Sequence, residues 1–267
     1  MKTKQQNTYV KIFLYCLLYL SFSTHLYCEE SHLDAREIGL GQIQATSSGS
    51  ANPASLGFLN KAKVGINVYN KFEMKELNTI SIYALKPNDF LDCGIRISQF
   101  GFSDYKVWTI QPAIAKKINS KLAIGGKLNW RRESIYLEDK PRMQLSADLG
   151  ITYKKTESWK LNILLKNIAN KTNTYKPSIH IGTAFILIED LEILAESTTY
   201  TKDYTAFHIG AEYGIAQSIY IRLGYRSNPN TPSMGFAYTY NSFAIDLAYL
   251  SHNILGNSSS INIAYQF

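Results

Sequence analysis

Ser258-Ser-Ser-Ile-Asn-Ile-Ala-Tyr-Gln-Phe267, the last ten residues, decide how the rest of the chain is read. With period two, Ile261, Ile263, Tyr265 and Phe267 fall on one face, and Ser260, Asn262, Ala264 and Gln266 on the other. That is a strand with one apolar and one polar side. It ends on an aromatic residue at the chain terminus, as strands inserted by outer-membrane assembly machinery do. Tyr265 and Phe267 are therefore the expected assembly signal, and the barrel-assembly machinery an expected partner.

The same alternation recurs from Lys63 onward, in runs separated by turn residues. Val64/Ile66/Val68, Leu145/Ala147/Leu149/Ile151/Tyr153 and Phe243/Ile245/Leu247/Tyr249 are three of about fourteen such apolar faces, and none of the fourteen carries a charge. The opposite faces hold Arg96, Lys127, Arg131, Asp148, Lys160, Lys166, Glu192, Glu196, Glu212, Arg222, Arg226 and Asp246. A soluble sandwich also alternates, so three further features decide. Turn-like gaps at 86–90, 118–121, 155–157, 189–190 and 241–242 are short, whereas those at 132–142, 167–176, 227–232 and 251–257 are longer. Short turns at one end and longer loops at the other are the habit of outer-membrane barrels. Large rings, among them Trp130, Tyr153, Trp159, Tyr213, Tyr225, Tyr240 and Phe243, lie near strand ends on the apolar face, as an interfacial girdle does. The runs are mostly eight to eleven residues, close to the ~9–11 that a tilted strand needs to cross a bilayer. The reading is an all-β, membrane-spanning antiparallel barrel of about 14 strands over residues 61–267.

Ahead of it lie two different segments. Lys2, Lys4 and Lys11 precede an apolar run from Ile12 to Leu20, then a polar stretch to Cys28, so residues 1–28 read as a signal peptide. The run is well short of the ~18–20 residues of a spanning helix. Residues 29–60, with Gly39-Leu-Gly41, the small-residue run Ala45-Thr-Ser-Ser-Gly-Ser-Ala51 and Asn52-Pro53, show no useful periodicity and read as loop and short turns. A connection that long packs into something or stays disordered.

Composition narrows the function. Mean hydropathy is -0.16, which excludes a polytopic helical membrane protein. Aromatics make up 13%, led by 19 Tyr, which suits strands and interfaces. Of 28 basic residues the signal takes three, leaving 25 against 21 acids. That mild surplus, without a basic stripe, gives no reason to expect a nucleic-acid partner. Beyond the signal only Cys93 remains, so no internal disulfide is expected. His32, His180, His208 and His252 fit no metal spacing, and no nucleophile elbow, Cys-x-x-Cys or phosphate loop is present. No catalytic residue, metal or cofactor is expected, and the protein reads as no enzyme. Glu192, Glu196 and Glu212 are expected as counter-ions to Lys160, Lys166, Arg222 and Arg226 rather than as a general acid and base.

Asp34-Ala-Arg-Glu-Ile-Gly-Leu-Gly41 followed by Ser50-Ala-Asn-Pro-Ala-Ser-Leu56 resembles the opening of the FadL-like outer-membrane barrels, in particular the PorV/PorQ-like branch of Bacteroidetes. Leu165-Lys-Asn-Ile168, Gly210-Ala-Glu-Tyr213, Leu223-Gly-Tyr-Arg-Ser-Asn228 and Leu255-Gly-Asn257 are similar to later family segments. Ser55 stands where the family has glycine. The resemblance implies a Gram-negative outer membrane, a 14-stranded barrel and an N-terminal segment folded into the lumen. It implies a hatch that includes Arg36, Gly39, Gly41, Asn52 and Pro53. The lumen wall is expected to include Arg96, Lys127, Glu192, Glu196, Glu212, Arg222, Arg226 and Asp246. It also implies transport of hydrophobic small molecules, with outer-membrane lipid and a hydrophobic ligand as partners. The alternative is a non-conducting component of a type IX secretion apparatus, whose partners would be secretion-system proteins.

Overall fold

The computed structural model describes residues 32–47, 51–136, 138, 140–169, 175–201 and 204–267. The expected signal peptide lies outside them. Fourteen strands follow one another: β1 (Lys63–Asn70), β2 (Asn78–Lys86), β3 (Asp92–Gly101), β4 (Tyr105–Lys117), β5 (Leu122–Ile135), β6 (Arg142–Thr156) and β7 (Trp159–Ile168), then β8 (Ser178–Ile188), β9 (Leu191–Tyr200), β10 (Thr205–Ala216), β11 (Ile219–Ser227), β12 (Asn230–Tyr240), β13 (Phe243–His252) and β14 (Gly256–Gln266). Each pairs antiparallel with its neighbours, and β1 closes the ring on β14 from Lys63↔Gln266 to Asn70↔Ser259. The closing register puts Val64, Ile66 and Val68 opposite Tyr265, Ile263 and Ile261, so the opening strand shares one face with the stretch that ends the chain. No sheet edge is left to satisfy.

Burial is inverted relative to a soluble protein. Ile82, Ile181 and Leu223 are 53, 58 and 62% exposed on the outside, while the guanidinium-bearing Arg96 and the carboxylate-bearing Asp148 are 2 and 1% exposed inside. So largely apolar an exterior is stable only in hydrocarbon, and a closed barrel is the sheet that satisfies its backbone there. This is an outer-membrane barrel. The end with the two-residue turns β6–β7, β8–β9, β10–β11 and β12–β13 also carries Lys63 and Gln266; it is the periplasmic end by the convention of such barrels.

The strands run from 8 to 15 residues; ten of the fourteen keep to the eight to eleven read from periodicity, and β4, β5, β6 and β10 overshoot it. The excess is polar sequence beyond the bilayer, as in Glu133↔Arg142, where both faces can be wet and hydrophobic alternation is no longer needed to keep the ladder. For the same reason the supposed loop 227–232 shrinks to Asn228 and Pro229, since Ser227 pairs with Asn230.

Candidate functional site: the lumen segment and its seat

Residues 32–47 and 51–60 lie against the inward-facing side chains of the wall. They are not merely loop and turns: they hold α1 (Ala35–Gly39) and a 3₁₀ helix at Pro53–Phe58. Asp34 and Glu37 form a capping box, with the Asp34 amide donating to Glu37 Oε2 at 3.0 Å. Five residues cannot hold a helix in water by themselves. Ile38 does it, fully buried in a cluster with Leu33, Tyr69, Ala248 and Leu250. Leu40 and Ile43 pack on Ala184 and Leu194, and Leu56 on Tyr83, Leu85, Ala113 and Ala115.

Arg36 is the centre of an ionic network. Its Nε and Nη2 donate to the two oxygens of Glu212 at 3.0 and 2.9 Å, and Nη2 also reaches Glu192 at 3.1 Å. Glu192 and Glu212 stand directly opposite each other on β9 and β10. Two carboxylates in that position repel, and Arg36 bridges them. Arg222 reaches Glu212 as well and donates to Asp246 at 2.8 Å. On the other side of α1, Arg96 donates to Asp34 at 2.7 Å and to the His32 carbonyl at 3.3 Å.

Downstream, the wall holds the segment's backbone. The Gly41 amide donates to Ser233 Oγ at 3.0 Å, and His208 Nδ1 donates to the Gly41 carbonyl at 2.6 Å. Gly41 has φ of +74°, and an added Cβ would meet the Tyr225 backbone at 2.7 Å, so only glycine fits. Arg226 donates to Gln42 Oε1 at 2.9 Å, and Glu196 Oε2 accepts from the Gln44 and Ala45 amides at 2.9 and 2.6 Å. Asn52 is fully buried; its Oδ1 caps the 3₁₀ helix through the Ala54 amide at 3.0 Å and its Nδ2 donates to the Ala45 carbonyl at 2.7 Å. Pro53 takes the first position of that helix, where it gives up no hydrogen bond. Lys127 joins the Ala51 carbonyl at 3.0 Å and Asp148 at 3.1 Å.

The structure thus gathers Arg36, Gly39, Gly41, Asn52 and Pro53 with Arg96, Lys127, Glu192, Glu196, Glu212, Arg222, Arg226 and Asp246 in one lumen. Tyr265 and Phe267 stand apart, their rings 5.9 Å from each other at the periplasmic end. The expected counter-ion scheme holds for Glu212 with Arg222 and for Glu192 with Lys160 at 3.8 Å. It fails for Glu196, which pairs with His180 at 2.8 Å and with the segment's amides. Lys166 donates to Gln44 Oε1 and Arg226 to Gln42 Oε1. Register across two strands cannot foresee partners that a third segment brings in.

Sequence reasoning also missed the glycines. Gly94, Gly125, Gly150, Gly182, Gly210, Gly224 and Gly235 all have inward parity in their strands, and a Cβ on each would meet the lumen segment at 2.0 to 3.4 Å. The signal was readable, because small residues on the lumen face of seven strands make room for another backbone. Among the described residues no group of three or more His, Cys, Asp or Glu is placed to hold a metal.

No protein-family model and no curated protein sequence matches the chain. Solved structures do. The Ralstonia pickettii toluene transporter TbuX superposes with a TM-score of 0.65 at 14% identity, covering 88% of this chain and 97% of its own. The monoaromatic hydrocarbon channel CymD gives 0.67 at 13% identity, covering 86 and 96%. A Pseudomonas aeruginosa FadL homologue gives 0.64 at 10% identity, covering 88 and 98%. At these identities the likeness is one of fold.

Proposed function

We propose that this protein passes small hydrophobic molecules across the outer membrane, with residues 29–60 as its hatch. The observation that carries the reading is the seat itself. Among the described residues no covalent bond fixes the segment within the lumen beyond its own chain connection. Arg36, Gln42, Gln44, Ala45 and Ala51 meet the wall through polar contacts that water can replace. The solved barrels of like fold are named as a toluene transporter and a monoaromatic hydrocarbon channel, which favours an apolar solute. The role is one of binding and passage, with no bond made or broken. The PorV/PorQ-like reading rests on the sequence resemblance alone and stands as the alternative.

Liposomes carrying the refolded barrel should take up toluene faster than empty ones, and faster still when residues 29–60 are deleted. Equal uptake in all three sinks the proposal. A stoichiometric complex with secretion-system proteins on extraction from membranes would favour the alternative.

A further inference from the structure

At the periplasmic mouth a cavity of about 430 Å³ opens between the lumen segment and the ends of β6 and β7. Two cross-strand pairs form its wall: Lys154 opposite Lys160, and one step deeper Thr152 opposite Asn162. Like charges facing each other across a ladder destabilise it, and nothing in the pairing demands them here. Among the described residues Lys154 has no carboxylate partner; its ammonium lies 4.3 Å from the centre of the Phe58 ring, which is part of the cavity lining. Among the described residues Lys160 has only Glu192 at 3.8 Å, a carboxylate already held by Arg36 at 3.1 Å.

The polar groups beneath the lysines point to the same chemistry. Thr152 Oγ1, Asn162 Nδ2 and Thr46 Oγ1 are buried without a hydrogen-bond partner among the described residues, and all three residues line this cavity. Thr152 and Asn162 are each only 4% exposed. Buried polar atoms are nearly always satisfied, so three orphans around one cavity call for a missing partner. A hydroxyl can donate, an amide nitrogen and an ammonium can only donate, and an oxyanion, with several lone pairs and a negative charge, is the group suited to accept from all of them at once.

We propose that this cavity is an oxyanion site, taking a carboxylate or phosphate group between Lys154 and Lys160 with Thr152 and Asn162 behind it. Phe58 offers an aromatic surface beside the charge, so an acidic group on an apolar body fits better than a bare ion. The site does not depend on the passage reading, because binding is measured on the closed barrel and flux is not.

The test is calorimetric titration of the full barrel in neutral detergent with benzoate, benzyl alcohol and inorganic phosphate. Saturable binding of benzoate or phosphate is expected, with benzyl alcohol weaker by about tenfold or more, the loss that accompanies one charge-assisted hydrogen bond. Benzoate alone would mark a carboxylate site and phosphate alone a phosphate site. Lys154→Gln with Lys160→Gln should weaken the anion by about tenfold or more, Lys154→Arg should retain it, and added salt should weaken it. If the double variant fails to fold, which unheated gel mobility reports, Lys154→Gln alone carries the comparison. Absence of saturable anion binding, equal binding of benzyl alcohol, or unchanged affinity in the lysine variants overturns the proposal.

Discussion

Gly224→Ala should unseat the middle of the lumen segment. An added Cβ there would lie 2.0 Å from the Gly41 nitrogen, 2.4 Å from the Leu40 carbonyl carbon and 2.6 Å from Ser233 Oγ. The first two are backbone atoms, so no rotamer change relieves them. Ordinary contact begins at 3.4 Å, and the segment must therefore retreat by more than an ångström. Such a retreat breaks the Gly41 amide bond to Ser233 at 3.0 Å, the His208 bond to the Gly41 carbonyl and the Ser233 bond to the Gly39 carbonyl at 3.3 Å. At about 1 kcal/mol each, the loss is about 3 kcal/mol, or about a hundredfold in the ratio of seated to displaced segment. Gly126→Ala is the control: it faces the bilayer, and its nearest neighbour would be a Leu149 methyl at 3.7 Å. Trypsin cleavage after Arg36 reads the displaced population, since cleavage follows that population when opening is faster than cutting. The reasoning is refuted if Gly224→Ala is cut at the wild-type rate, or if Gly126→Ala is cut as fast as Gly224→Ala.

Two more outcomes follow from the seat. Arg36→Gln leaves Glu192 and Glu212 opposed with no bridging cation. Their side chains keep 19 and 15% of their exposure, so the loss is set below that of a fully buried pair, at about 2 kcal/mol, and Glu192→Gln added to it should recover part. Thermal melting of the four proteins of that double-mutant cycle checks the coupling, which must be non-additive. Glu37 gives a pH dependence: burial, and then the nearby Asp34 carboxylate, push its acid up to about 7 from an ordinary 4.5. The seated segment holds a proton that a released one loses, so seating is strongest below about pH 4.5 and weakens as pH rises through 7, by up to about 3 kcal/mol. Trypsin cleavage, corrected for the enzyme's own pH profile, should be faster at pH 8 than at pH 5.5, and Glu37→Gln should flatten the difference.

How much of this the sequence carried depends on what each residue answers to. The outward residues answer only to hydrocarbon, a uniform solvent, so Ile82, Ile181 and Leu223 declare their face by period alone. Inward residues answer to particular partners. Glu196 looked like one more lumen acid, and only the fold brings the Gln44 and Ala45 amides within 2.9 and 2.6 Å of it. The helix at Ala35–Gly39 shows no apolar period because it is one turn long and held by the wall, yet Asp34 and Glu37 spell its cap at the right spacing. Strand ends were illegible for a different reason. Beyond the bilayer both faces are wet, so the Glu133↔Arg142 pairing leaves no alternating mark.

The same division limits how a hatch can move. Ile38, Leu40, Ile43 and Leu56 are each 2% exposed or less against the wall. At about 1.5–3 kcal/mol apiece, expelling all four costs about 6–12 kcal/mol, far more than exchanging the polar contacts for water. Wholesale ejection is then too rare to serve a passage role. The apolar anchors cluster at 33–43 and at Leu56, while Gln44, Ala45, Ala51 and Asn52 between them meet the wall or each other through hydrogen bonds. Displacement confined to the stretch between the anchors breaks the water-exchangeable bonds and leaves the apolar ones in place. That stretch includes Thr46 and Ser47, which line the periplasmic cavity. A hatch that works locally would thus open beside Lys154 and Lys160, where an acidic solute group has its partners.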